Sequence, residues 1–169
     1  MTLPNVLTTF RLGLVGVFLY TFYGLDNNNI LYSFLVFTLA ELSDVLDGYI
    51  ARHYNMISDL GKILDPIADK AMLLAMLFAL SSVGLIPWIV FIIVLVREGI
   101  TALGAYILYK NKKVVAYSRW YGKAAAVIFY IAIVAVVFDV PYASVVLTIA
   151  VMLNVASLVK YLYDYYKLI

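Results

Sequence analysis

A chain of 169 residues that is 66% hydrophobic and only 13% charged, with a mean hydropathy of +1.00, is too apolar to be disordered and far from the composition of a soluble domain. The absence of cysteine excludes disulfides and thiolate metal sites, and a single histidine, His53, excludes a histidine-rich zinc site. A formal net charge of +2 is too small to argue for nucleic acid.

A helix needs about 20 apolar residues to cross the hydrocarbon core of a bilayer. Six stretches approach that length: roughly 5–24, 30–52, 60–82, 86–110, 119–138 and 141–165. The first, from Val6 to Tyr23, imitates a signal sequence, but five more follow, so it is expected to be retained. None of the six shows the short alternating pattern of barrel strands. The breaks carry turn chemistry: "GLDNNN" at 24–29, "SSVGLIP" at 81–87 and "DVPY" at 139–142. No repeat, linker or low-complexity tail interrupts the chain. The expected fold is all-α, a polytopic membrane protein with six transmembrane helices bundled in one domain over residues 1–169.

Six spans put both termini on one side of the membrane. The connections at 24–29, 81–87 and 139–142 hold no Lys or Arg, whereas the other side collects Arg52, Lys110, Lys112, Lys113, Arg119, Lys123, Lys160 and Lys167. By the positive-inside rule that basic side is cytoplasmic. Tyr161, Tyr163, Tyr165 and Tyr166 fit an interfacial aromatic belt there, or ordinary packing. A short chain without a transit peptide is expected to be bacterial and to sit in the cytoplasmic membrane.

Against this apolar background, Ser43–Lys70 ("SDVLDGYIARHYNMISDLGKILDPIADK") concentrates acids. Asp44 and Asp47 are i, i+3 and share a face of the second helix, while Asp65 and Asp69 are i, i+4 and share a face of the third. The link at 53–59 is short enough for the two helices to be antiparallel neighbours. Both pairs can then meet across a cleft open to the cytoplasm. Four converging carboxylates repel unless their pKa values rise or divalent cations bind. Oxygen-only ligands suit hard cations such as Mg²⁺ or Mn²⁺, and a pair of such ions is a device of phosphoryl chemistry. Solvated helix ends are the bland alternative, but ionisable groups in membrane helices usually mark function. Gly48, Ala51 and Gly61 let a bulky group approach the backbone, or let two helices close up. Arg52 can pair with a phosphate or an anionic headgroup.

These residues read D-x₂-D-G-x₂-A-R-x₈-G-x₃-D-x₃-D, through Asp44, Asp47, Gly48, Ala51, Arg52, Gly61, Asp65 and Asp69. The pattern resembles the signature of the CDP-alcohol phosphatidyltransferase family without a departure, and the six-span layout extends the resemblance over essentially the whole chain. The resemblance implies that a CDP-linked lipid gives its phosphatidyl group to an alcohol while CMP leaves. It implies that Asp44, Asp47, Asp65 and Asp69 hold two divalent cations and that Asp69 also takes the acceptor's hydroxyl proton. Gly48, Ala51 and Arg52, with Asp44 and Gly61, are implied on the CDP-lipid side. A homodimer is a further implication.

The opening "LPNVLTTFRLGL", "LDPIADK" at 64–70, Arg97-Glu98 and "W-x-G-K" (Trp120, Gly122, Lys123) are similar to bacterial phosphatidylglycerophosphate synthases, a branch of that family whose acceptor is glycerol 3-phosphate. Arg97 lies ~15 Å into the fourth span at 1.5 Å per residue and is expected to face a partner or a polar cavity. Arg97, Arg119 and Lys123 are the expected acceptor contacts, with a structural pair to an acid such as Glu41 as the alternative for Arg97. Glu98 is expected to point elsewhere, since i, i+1 positions do not share a face. Lys110, Lys112 and Lys113 are expected to fix topology and touch headgroups. Two positions that are often cationic in this branch are Ala105 and Ala125 here. Their absence favours the alternative of a cardiolipin synthase, which uses phosphatidylglycerol. A third reading, an ion-coupled transporter, lacks the inverted repeats and midplane acids expected of one.

Overall fold

The computed structural model describes the backbone of residues 3–24, 29–53, 59–112 and 120–166, and the side chains of 8–24, 29–43, 67–104, 107 and 120–164. Among them are six α-helices and no strand: α1 (Leu3–Tyr23), α2 (Ile30–His53), α3 (Asp59–Ser82), α4 (Trp88–Lys112), α5 (Trp120–Val137) and α6 (Ala143–Tyr166). Each coincides with one of the six expected stretches to within a few residues. They form two compact units, Met1–Ser82 and Val83–Ile169.

In the first unit α1 packs on both α2 and α3, and α2 touches α3. Pro4 falls in the first turn of α1, where a missing N–H breaks no helical bond. Among the described side chains of α1, Thr8, Arg11, Phe18 and Phe22 are buried, and their spacing places them on one stripe. Among the described side chains, Ser33, Phe37 and Ala40 of α2 and Ala68, Met72, Met76, Leu77, Ala79, Leu80 and Ser81 of α3 are buried with them. Hydroxyl bonds tie one end of the unit. Thr21 Oγ1 lies 3.1 Å from Ser33 Oγ, joining α1 to α2, and Tyr23 Oη lies 2.7 Å from Ser82 Oγ, joining α1 to α3. These bonds bring together the ends of α1 and α3 and the start of α2. So α1 and α3 run parallel, with α2 antiparallel to both.

In the second unit α6 packs on both α4 and α5. Gly84, with φ of 78°, makes the left-handed turn that follows α3, and Pro87 precedes α4, where its carbonyl accepts from Val90 N at 3.0 Å. The end of α5 is a Schellman motif. Val140 N donates to Ala135 O (2.9 Å) and Asp139 N to Val136 O (3.2 Å), with Asp139 at φ 49° in the left-handed position. Pro141 follows and cannot continue the helix. The expected break at 139–142 thus ends α5 through these bonds, and Tyr142, at φ 65°, is a second left-handed residue just before α6.

Among the described residues, two helices, Trp120–Val137 and Ala143–Asp164, are long and apolar enough to cross a membrane. Large apolar side chains are widely exposed, among them Leu103 at 63%, Trp120 at 79% and Met152 at 65%. Surfaces of this kind mark contact with apolar partners or lipid.

Candidate active site

The structure puts the expected acidic motif on two consecutive helices. Asp44, Asp47, Gly48, Ala51 and Arg52 occupy the last turns of α2, and Gly61, Asp65 and Asp69 the first turns of α3, with five residues between the helices. Among these the side chain of Asp69 alone is described, half-buried and one residue after the fully buried Ala68. The side chains of Asp44, Asp47, Arg52 and Asp65 lie outside the described residues. So does Arg119.

Backbone counting places the motif within the first unit. From the Tyr23–Ser82 bond, Asp69 is 13 residues back along α3 and Arg11 is 12 residues back along α1. At 1.5 Å per residue these are depths of ~20 and ~18 Å. From the Thr21–Ser33 bond, Asp44 is 11 residues along α2 and Arg11 is 10 residues back along α1, depths of ~17 and ~15 Å. Asp44, Asp69 and Arg11 thus share one level of the three-helix unit. Arg11 is 1% exposed and lies on the buried stripe of α1. Sequence reasoning gave it no role. The available signal was an arginine eleven residues into an apolar chain, a position where charge is costly.

In the second unit Arg97 and Glu98 are 16% and 12% exposed, and Arg97 Nη1 donates to Glu98 Oε1. This corrects the expectation that Glu98 points away from its neighbour. The face rule describes Cβ directions, and a guanidinium and a carboxylate on long stems close the difference where little water competes. Arg97 Nε is buried and has no hydrogen-bond partner among the described residues.

Lys123 is exposed near the start of α5. The turn that carries it is fixed to α6. Tyr121 Oη donates to Asp164 Oδ2 at 3.0 Å, and Lys160 Nζ sits 5.4 Å from the centre of the Tyr121 ring. Further along, Gly122 faces Ser157, and Asn154 Nδ2 donates to Ala125 O at 3.4 Å and to Ala150 O at 2.9 Å. Ala125 is buried in this helix contact, so one of the two missing cations falls at a packing position. Gly104 leaves room for Tyr161, whose hydroxyl would lie 3.1 Å from an added Cβ. Of the tyrosines expected in an aromatic belt, Tyr163 is exposed and Tyr161 half-buried, while Tyr165 and Tyr166 lie outside the described side chains. Tyr121→Phe removes a charge-assisted bond and is expected to cost about 1–2 kcal/mol. A thermal midpoint in detergent equal to wild type would show that the bond adds nothing.

A cavity of about 610 Å³ lies at the other end of α5 and α6, between Pro87, Val140, Tyr142 and Met152. Its lining is mainly apolar, with Asp139 as its one carboxylate and no Lys or Arg, which makes it a poor place for phosphoryl chemistry.

Comparison with known proteins agrees with the motif. The model of the CDP-alcohol phosphatidyltransferase family matches residues 1–156. A probable phosphatidylglycerophosphate synthase of Mycobacterium tuberculosis is 34% identical over 168 residues, covering 94% of this chain and 79% of that protein. A CDP-diacylglycerol–glycerol-3-phosphate 3-phosphatidyltransferase of Rickettsia bellii is 41% identical over 99 residues, covering 57% of this chain and 53% of that protein. A cardiolipin synthase (CMP-forming) of Streptomyces coelicolor is 34% identical over 130 residues, covering 74% and 60%. With a family match over nearly its whole length and the complete aspartate signature on α2 and α3, this chain belongs to the CDP-alcohol phosphatidyltransferase family.

Proposed function

We propose that the chain transfers the phosphatidyl group of CDP-diacylglycerol to glycerol 3-phosphate, giving phosphatidylglycerophosphate and CMP. The observation that carries this reading is the aspartate signature, split between the end of α2 and the start of α3 in one three-helix unit. The acceptor assignment is supported by the names of the Mycobacterium and Rickettsia relatives.

In the proposed reaction an acceptor hydroxyl oxygen attacks the phosphorus of the phosphatidyl group. The pyrophosphate P–O bond breaks and CMP leaves with the bonding pair. Asp69 takes the hydroxyl proton as general base. Asp44, Asp47, Asp65 and Asp69 would supply an all-oxygen donor set, the chemistry that suits two Mg²⁺ or Mn²⁺ ions, and ions bound there would offset the diphosphate charge. Gly48, Ala51 and Gly61 leave the backbone open to the CDP-lipid, and Arg52 pairs with its phosphates. Arg97, Arg119 and Lys123 hold the acceptor. Arg97 Nε, which has no hydrogen-bond partner among the described residues, is a donor available for it.

The six helices are proposed to span the bacterial cytoplasmic membrane, with both termini and the cleft on the cytoplasmic side. Helix length, the exposed apolar side chains and the Lys/Arg asymmetry support that placement. One domain and a homodimer complete the reading. Phosphatidylglycerol is the second acceptor to consider, because Ala105 and Ala125 leave fewer cations than a charged acceptor favours. The Streptomyces relative is named for that reaction.

Purified protein supplied with CDP-diacylglycerol, divalent ions and one acceptor at a time decides between them. CMP release with glycerol 3-phosphate alone is expected. Release with phosphatidylglycerol alone would reassign the acceptor. Arg97→Ala should raise the KM for glycerol 3-phosphate roughly tenfold or more, on the scale of one lost charge-assisted bond, and leave that for CDP-diacylglycerol nearly unchanged. Equal effects on both substrates would make Arg97 structural.

A further inference from the structure

We infer that Arg11 is the resident counter-charge of the carboxylate cluster, a positioning residue that holds the site together before divalent ions arrive. This rests on the reading of Asp44, Asp47, Asp65 and Asp69 as one cluster. Three observations lead to it. Arg11 is 1% exposed, so its guanidinium is removed from water. It lies on the stripe of α1 formed by Thr8, Phe18 and Phe22, the helix that packs on both α2 and α3. Two independent hydroxyl bonds set the helix register and put Arg11 level with Asp44 and Asp69.

The electrostatics then favour one role. A guanidinium stays protonated in a protein interior and must be neutralised there. On that reading the four carboxylates of α2 and α3 carry four negative charges and repel. One fixed cation at their level offsets part of that repulsion in the empty cluster, whereas two divalent ions by themselves balance all four carboxylates. Without Arg11 the empty cluster is over-charged, while the loaded cluster is nearly balanced. The penalty of losing Arg11 is therefore conditional on metal. By the same coupling, removing the cation deepens the negative potential and tightens divalent binding by about tenfold or more. A residue that served only to fill space would show no such coupling.

The test compares wild type, Arg11→Met and Arg11→Lys in detergent, measuring the thermal midpoint in EDTA and in excess Mn²⁺, and Mn²⁺ affinity by titration. Arg11→Met is expected to unfold far earlier than wild type in EDTA, to recover most of the gap in Mn²⁺, and to bind Mn²⁺ more tightly. Arg11→Lys should track wild type in both. A loss of equal size with and without Mn²⁺, or Arg11→Lys as unstable as Arg11→Met, would overturn the inference. Should Arg11→Met fail to fold even in Mn²⁺, the charge-balanced double variant Arg11→Met/Asp44→Asn decides. Recovery of a folded protein in EDTA supports the counter-charge, and no recovery overturns it. If Mn²⁺ leaves the wild-type midpoint unmoved, the metal reading fails by itself, and the double variant still judges Arg11.

Discussion

Asp69→Asn lowers CMP release by roughly 10²–10⁴-fold, the usual contribution of a positioned general base, while the protein still folds. The substitution is nearly isosteric, so it removes proton-accepting ability without opening a cavity. Asp69 stands on α3 one residue after the fully buried Ala68 and three before the fully buried Met72. Those two side chains fix the helix face, so an amide at 69 occupies the same place as the carboxylate. The expected pattern is a collapse of kcat with a near-normal KM for CDP-diacylglycerol, because an interaction made chiefly in the transition state is lost. An unchanged kcat would remove Asp69 as the base and send the role to another member of the motif. A fall in thermal midpoint matching the fall in activity would instead assign Asp69 to folding.

The sequence made the helices legible because run length and turn chemistry are local properties. The six apolar stretches and the six helices agree to within a few residues, and "DVPY" marks a turn whose bonds the structure supplies through Asp139 and Val140. The acidic motif was legible for a different reason: its spacing is rigid on helices and matches a family. Two features were not legible. The Arg97–Glu98 pair escaped a rule about Cβ directions because both side chains are long and largely sheltered from water. Arg11 escaped because an arginine in an apolar stretch reads the same whether it faces lipid, water or protein. Which face of α1 becomes buried is decided by two other helices, through contacts such as Thr21 with Ser33 and Tyr23 with Ser82. Likewise, Ala125 read as a missing cation until the contact with Asn154 showed it to be a packing position.

Stripping divalent ions with EDTA should abolish CMP release, and adding Mg²⁺ or Mn²⁺ back should restore it. The loss is expected to be on the order of 10³-fold or more, since Lewis-acid stabilisation of several kcal/mol is withdrawn at about 1.4 kcal/mol per decade. Reversibility is the informative part. In wild type Arg11 keeps one positive charge at the level of Asp44 and Asp69, so the stripped protein should remain folded and ready to reload. In Arg11→Met the same treatment should become irreversible, because the over-charged cluster forces the helices apart and the exposed apolar surface aggregates. The two results together separate chemistry from folding. A reversible loss in wild type with an irreversible loss in Arg11→Met ties both roles to one cluster. Persistent CMP release from a metal-free preparation removes the two-ion mechanism, and the carboxylates would then need neutralisation by protons, visible as activity that falls with rising pH.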